Sequence, residues 1–279
     1  MGLESFGKVL EVGTDVKDIK IGDRVVCYKW TGGLFSKIIQ INSDNCFVIP
    51  ENMTNLHAIG LPANYLTAYI IIFKIAKLKA GQSILIHSCA GGVGWAATQL
   101  AKLVGNIDIF GTTSENKVKF VKENGVKHPM TYDTYISSMN QIIPDGKVDC
   151  IIDSIGGNNF ATSQKLLKPL GQVILTGCSS LIEGSKKFTD SEKEALGSLA
   201  TTDMMRLVVG NQGVYGFHLG LLMDQCPELI HDCMKHLIQL FNDSSILPRI
   251  SNVWPFEKAA EAIEDLEKRK NIGKVVLTI

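Results

Sequence analysis

Apolar and polar positions change their period along the chain. In residues 1 to about 53 short apolar runs are cut by Gly, Asn, Asp and Ser, as in Gly7-Lys8-Val9-Leu10-Glu11-Val12-Gly13 and Asp23-Arg24-Val25-Val26-Cys27. Such runs predict strands, and residues 36–41 and 46–49 read as two more. From residue 54 the period lengthens. Thr54 is a cap for a helix whose stripe is Leu56, Ile59, Gly60 and Ala63, and a second helix is expected over 66–76.

A strand–helix rhythm follows. Strands are expected at 83–87, 107–111, 148–153 and 172–176, with helices at 93–104, 115–123 and 159–167 between them. Short apolar strands alternating with helices imply a parallel sheet covered on both faces. Beyond residue 219 the pattern predicts a helix over 227–241, a strand over 249–254, a charged helix over 256–269 and an apolar strand over 274–279. The β-like pieces at both ends suggest one β-rich domain built from both ends around an α/β block. Residues 180–213 carry no motif.

The sharpest chemical signal lies after the first strand of the α/β block. Ser83-Ile84-Leu85-Ile86-His87-Ser88-Cys89-Ala90-Gly91-Gly92-Val93-Gly94 is a strand and a glycine-rich turn, and the amphipathic helix from Trp95 to Lys102 follows. In the pattern GxGxxG a cysteine, Cys89, stands at the first glycine. A pyrophosphate site needs a tight turn, a backbone that an anion can approach, and helix N–H groups aimed at it. Gly91 and Gly92 supply the approach, and Gly94 lets the helix sit on the strand. The strand before and the helix after are the context this motif requires. A turn that binds nothing is the competing reading.

The second strand selects the nucleotide. It ends Phe110-Gly111-Thr112-Thr113-Ser114, without the acid that accepts hydrogen bonds from the ribose of NAD. Small hydroxyls with Lys117 beyond them suit a 2′-phosphate, so NADPH is expected over NADH. Taken alone, Lys117 reads as a solvated helix lysine.

Composition narrows the function. The 279 residues carry 28 Lys plus Arg and 28 Asp plus Glu, so there is no global field to recruit nucleic acid or anionic lipid. The apolar stretch 60–73 is interrupted by Pro62 and Asn64 and is too short to span a bilayer. No leader pattern opens the sequence, Phe6 stands where a myristoylation signal needs Ser or Thr, and no CaaX motif closes it. A soluble cytoplasmic protein is expected. Seven cysteines, an odd number without a CxxC pair, argue against a disulfide framework or a zinc ribbon. Cys233 and His236 would share a helix face, but no second close ligand pair accompanies them, and they read as ordinary helix residues. A catalytic zinc needs about three ligands. The first zone offers Cys27, Cys46 and His57 without a companion motif, so no metal is expected.

The glycine turn, the phrase Val12-Gly13…Ile21-Gly22-Asp23-Arg24-Val25 and the ending Ile272-Gly273-Lys274-Val275-Val276-Leu277 resemble the medium-chain dehydrogenase/reductase superfamily. Within it the chain resembles the zinc-free quinone oxidoreductases. Tyr215-Gly216-Phe217-His218-Leu219-Gly220 and Val253-Trp254-Pro255-Phe256-Glu257-Lys258 resemble the synaptic vesicle membrane protein homologue branch.

The resemblance implies an α/β fold: a Rossmann doubly wound parallel sheet plus a partial GroES-like β-rich lobe. It implies residues 1–66 as the partial catalytic lobe, 67–218 as the NADP(H)-binding lobe and 219–279 as a return segment completing the first. Carried over by motif, Ala90, Gly91, Gly92 and Val93 would hold the pyrophosphate, and Lys117 with Tyr132 the 2′-phosphate. Gly177 and the backbone of Phe217 would lie beside the nicotinamide, and Thr67 matches the Thr-Ala step opening the cofactor lobe. Zinc-using relatives have Gly-His-Glu where this chain has Gly2-Leu3-Glu4. The family also has several strands before the position of Gly2, so a truncated catalytic lobe is expected.

Two functions follow from the resemblance. One is an NADPH-dependent, zinc-independent oxidoreductase passing a hydride to a quinone or activated alkene, with Tyr65 and Tyr69 as visible proton donors that also read as packing residues. The other is a nucleotide-binding regulatory protein, peripheral on vesicle or mitochondrial outer membranes, with little or no turnover. Relatives also suggest a homodimer through the edge of the Rossmann sheet.

Overall fold

The computed structural model describes residues 1–179 and 202–279. The chain divides into two compact units. One contains Met1–Ile70, Gly91–Ala96 and His218–Ile279, the other Ile71–Ala90 and Ala97–Phe217.

In the first unit, β1 (Glu4–Lys8), β2 (Arg24–Tyr28) and β3 (Cys46–Val48) form an antiparallel sheet in the order β1-β2-β3. The expected strand at 7–13 lies earlier, because the register pairs Glu4 with Tyr28 and Lys8 with Arg24. Residues 36–41, expected as a strand, form none. The Arg24 guanidinium ties β2 to the next loop, donating to the carbonyls of Pro50 (3.0 Å) and Met53 (2.7 Å) and to Asn55 Oδ1 (2.8 Å). Thr54 caps the following helix as expected, its hydroxyl accepting the His57 N–H at 3.2 Å. That helix does not stop. From Asn55 to Ile75 the backbone stays helical, with wide π turns at Leu61–Leu66 and Ile70–Ile75. The helices Leu219–Gln225, Pro227–Asn242 and Ala259–Glu267 and the parallel strands β10 (Ile250–Pro255) and β11 (Lys274–Thr278) complete this unit.

The second unit is built on a six-stranded sheet in the order β6-β5-β4-β7-β8-β9, every neighbouring pair parallel. The strands are β4 (Ser83–Ile86), β5 (Asp108–Thr113), β6 (His128–Thr131), β7 (Val148–Asp153), β8 (Leu167–Leu175) and β9 (Gly213–Gly216). The run Ser83-Ile84-Leu85-Ile86 is buried throughout, as both-face coverage requires. Leu85, Phe110, Ile151, Phe160 and Val173 meet in one core. The order is that of the doubly wound dinucleotide-binding fold, 3-2-1-4-5-6 with β4 as strand 1, and direction switches between β4 and β7. No helix of the described residues is long and apolar enough to cross a membrane.

Two strands escaped the sequence reading, and they are the two edges. β6 is four residues long and contains Pro129, which has no N–H for a ladder. β9 is bounded by two glycines. The helix Tyr135–Ile142 escaped it as well. Of the motifless segment, residues 180–201 lie outside the described residues.

Ile151 is completely buried at the sheet centre. Ile151→Ala is therefore expected to cost about 2–5 kcal/mol. Urea unfolding followed by circular dichroism measures it, and a cost below about 1 kcal/mol would contradict this packing.

Candidate nucleotide site

Parallel strands in this order leave their C-terminal ends at one rim of the sheet, where a ligand meets the loops. Ser88, Cys89 and Ala90 follow β4, Lys117 lies four residues beyond β5, Tyr132 directly follows β6, Gly177 follows β8 and Phe217 follows β9. The topology thus brings these sequence-predicted positions to one rim of the second unit.

The turn after β4 is shaped by tight packing. Ser88 takes a left-handed φ of 52°, and the Cys89 N–H donates to the Thr112 carbonyl at 3.0 Å. Cys89, the residue that replaces the motif's first glycine, is fully buried. A Cβ on Gly111 of β5 would lie 2.7 Å from its Sγ and 2.9 Å from Val126. The thiol therefore occupies space that a glycine on the neighbouring strand leaves open. Burial pushes the Cys89 thiol up to about 12, so it is a packing group.

Gly91, Gly92 and Val93 come partly to the surface between the buried Ala90 and Gly94. Within the first unit, Gly91 bridges to Gly273, whose φ is +83° and where a Cβ would lie 2.2 Å from the Arg249 carbonyl. A Cβ on Gly92 would strike the Asn64 amide at 2.5 Å. Close approach of backbone is thus required here by the protein's own packing as well as by any anion. Thr67 lies three residues beyond Asn64, on the same helical run, and its N–H bonds to the Asn64 carbonyl. It is buried. Thr67 belongs to the first unit.

Lys117 is 7% exposed, and burial lowers its ammonium pKa from the ordinary lysine value. It is not the solvated lysine that its position alone suggested. Tyr132 is 39% exposed, with its hydroxyl donating to Ser88 Oγ at 3.2 Å. A Cβ on Gly177 would meet the Ser154 carbonyl at 3.1 Å, and the Phe217 N–H donates to Leu175 O at 2.9 Å. Asp108 opens β5 and pairs with Lys127 (2.7 Å) and His128 (3.0 Å), so β5 carries no carboxylate at its C-terminal end.

Behind the rim lies a network that the sequence reading missed. Asp153, at the end of β7, has no exposed surface and accepts from the N–H groups of Ile155 (2.8 Å) and Gly156 (2.9 Å), from Asn159 Nδ2 (2.9 Å) and from Ser163 Oγ (2.8 Å). Ser163 Oγ lies 3.2 Å from His87 Nε2, and His87 Nδ1 lies 3.0 Å from Thr112 Oγ1. The directions follow by elimination. Ser163 donates its hydroxyl proton to Asp153 Oδ2, so its oxygen accepts the Nε2–H of His87. His87 Nδ1 then accepts the Thr112 hydroxyl proton, and Thr112 Oγ1 accepts the Ser88 N–H at 3.2 Å. The hydroxyl of Thr112 is therefore committed inward, which corrects its reading as a donor to a 2′-phosphate. A His followed by a glycine turn, with Asp at the end of the strand 148–153, was the available signal.

Burial outweighs the neighbouring Asp153 and lowers the His87 pKa to about 4.

Glu4, which stands in the Gly2-Leu3-Glu4 step, accepts the Ala63 N–H at 2.8 Å and pairs with Lys274. Among the described residues no three His, Cys, Asp or Glu side chains gather as a metal's donor set, so those residues do not fit a zinc site. His231 Nε2 lies against the Asp44 carbonyl (3.0 Å) and His236 Nδ1 against that of Asp232 (2.8 Å). Tyr65 and Tyr69 are buried, and burial raises both phenols.

Residues 1–68 match the alcohol dehydrogenase GroES-like domain, and residues 124–277 match a family described as zinc-binding dehydrogenase. The chain belongs to the medium-chain dehydrogenase/reductase superfamily. It is 41% identical over 278 residues to the rat synaptic vesicle membrane protein VAT-1 homolog, covering 99% of this chain and 68% of that protein. The crystal structure of human synaptic vesicle membrane protein VAT-1 homolog-like protein superimposes with a TM-score of 0.84 at 31% identity, covering 100% of this chain and 78% of that one. Escherichia coli quinone oxidoreductase, solved as a complex with NADPH, gives a TM-score of 0.85 at 25% identity, covering 100% and 82%. The family membership makes this an oxidoreductase-type chain of quinone-oxidoreductase likeness.

Two outcomes test the packing of this rim. Gly111→Ala is expected to destabilise by about 1–3 kcal/mol through overpacking, with Cys89→Gly in the same chain recovering part of the loss. Additive effects in the urea-unfolding cycle would disprove the contact. The unfolded chain protonates His87 near its ordinary 6.5 and the folded chain near 4, so between these values the unfolded state binds more protons. Lowering the pH from about 6.5 to 4 should therefore withdraw on the order of 3 kcal/mol that His87→Gln does not lose over the same range. Parallel pH series of urea midpoints measure the difference.

Proposed function

We propose that the chain binds NADPH and is a zinc-independent oxidoreductase of quinone-reductase type, delivering a hydride to a quinone or an activated alkene. The observation that carries this reading is the rim itself. A switch-point strand runs into a glycine-opened helix, Lys117 and Tyr132 follow the two neighbouring strands, and no acid stands at the end of β5.

The donor set fits such a nucleotide. The helix Gly92–Val104 turns the positive end of its dipole toward this turn, with little side-chain bulk at Gly91 and Gly92. Lys117 offers a cation and Tyr132 a hydroxyl to a 2′-phosphate. Ala90 to Val93 would hold the pyrophosphate, with Gly177 and the Phe217 backbone toward the nicotinamide; Thr67 is the remaining position that the family resemblance assigns to the nucleotide. NADPH, when bound, supplies the hydride. The chain's part is to orient it and to exclude water. The NADPH complex of the E. coli quinone oxidoreductase supports this assignment. The commitment of Glu4 to Lys274 and Ala63 supports zinc independence.

A second reading is a nucleotide-binding regulatory protein, peripheral on vesicle or mitochondrial membranes, with little turnover; the relatives' name, synaptic vesicle membrane protein, supports its vesicle part alone. Steady-state NADPH oxidation with a quinone series separates the two.

Tryptophan quenching on titration with NADPH and, in parallel, NADH tests the cofactor. NADPH is expected to bind more tightly, and Lys117→Ala to weaken it by about tenfold or more while leaving NADH nearly unchanged, since a hydrogen bond to a charged group contributes about 1.5–3 kcal/mol. Binding of neither nucleotide would overturn the proposal.

A further inference from the structure

Two of the seven cysteines face each other across the small antiparallel sheet. The Ile49 N–H donates to the Arg24 carbonyl at 2.9 Å, and Cys27 pairs with Cys46 in the β2–β3 register. Pairs alternate along an antiparallel ladder, so 24 with 49 and 26 with 47 exchange hydrogen bonds, and 27 with 46 is a non-hydrogen-bonded pair. There the Cα atoms come within about 4.5 Å and the side chains approach most closely. That spacing lies inside the range a disulfide accepts.

The sulfurs are 3.4 Å apart and share an S–H···S contact. Both side chains pack with Val25 and Leu34, and both line a cavity of about 1950 Å³ in the first unit. The hydrogen bond with Cys27 lowers the Cys46 thiol pKa from its ordinary value against opposing burial and Asp44, and Cys46 Sγ also lies 3.5 Å from the Asn42 carbonyl. The same sharing of one proton pushes Cys27 up. Burial raises the Cys89 and Cys150 thiols to about 12.

The geometry points to Cys27 and Cys46 as an oxidative modification site that takes a small peroxide and closes to a reversible cross-strand disulfide. In the first step the Cys46 thiolate sulfur attacks a peroxide oxygen. The O–O bond breaks, hydroxide leaves and takes up a proton to become water, and Cys46 becomes a sulfenic acid. In the second step the Cys27 sulfur, giving up its proton, attacks the Cys46 sulfur. The S–O bond breaks, and the departing hydroxide takes that proton as a second water. Two thiols lose two electrons in total, and the peroxide gains them. A thiol reductant reverses the reaction by exchange. The inference is independent of nucleotide binding.

Tryptic mapping tests it directly, because cleavage after Arg24, Lys29, Lys37 and Lys74 puts the two cysteines on separate peptides, 25–29 and 38–74. The folded chain is treated with hydrogen peroxide, its remaining thiols are alkylated, and the digest is analysed by mass spectrometry. The exposed Cys178 and Cys226 serve as internal controls. The expected result is a linked 25–29/38–74 species, lighter by two hydrogens than the sum of its peptides and abolished by dithiothreitol. In Cys27→Ser the resolving thiol is gone, and dimedone should trap a sulfenic acid on Cys46. The inference is overturned if Cys27 and Cys46 are both recovered alkylated once the control cysteines have reacted, or if either is oxidised without the link. The linked species in the unaltered chain decides the matter should the variant fail to fold.

Discussion

Burying an ionised carboxylate with no exposed surface requires that every donor around it be in place, and Asp153 sets that requirement at the centre of the second unit. Its partners come from the turn after β7 and from the helix Gly157–Lys165. Because the carboxylate only accepts, the direction of each further bond is fixed in turn through Ser163, His87 and Thr112 to the backbone of Ser88. The ends of β4, β5 and β7, the three strands around the switch point, are held by one directional chain. Losing any member leaves a buried polar group unpaired, which is more costly than the bond itself is favourable. The rim inherits its shape from this chain.

The glycines after β4 and in β5 show how a binding motif and a packing requirement coincide. Gly92 accommodates the Asn64 amide, Gly91 bridges to Gly273, and Gly111 accommodates the thiol that stands at the motif's first glycine. Departure from the motif at Cys89 therefore does not loosen the turn. The missing volume was moved from the turn to the adjacent strand.

The central strands were legible because their apolar runs are continuous and bounded: 148–153 coincides with β7, and 83–87 differs from β4 by one residue. The edges were not, since β6 and β9 are short and carry Pro129 or flanking glycines. Boundaries shifted where pairing decided them, as in β1, whose register with β2 begins at Glu4. The glycine turn could be read from spacing alone. The burial of Lys117 could not, and neither could the link from Asp153 through Ser163 to His87 and Thr112, which joins positions 76 and 25 residues apart. The facing of Cys27 and Cys46 was hidden for the same reason: it exists only in the register of two strands.

The division of the chain has a consequence for synthesis. Residues 71–90 and 97–217 hold nearly everything the parallel sheet needs, so that unit can close soon after its last strand leaves the ribosome. The first unit cannot. Glu4 finds Lys274, and Gly91 finds Gly273, only when the final residues have been made. Its early strands β1, β2 and β3 can pair with one another at once, but their ties to the C-terminal segment close only at the end of synthesis.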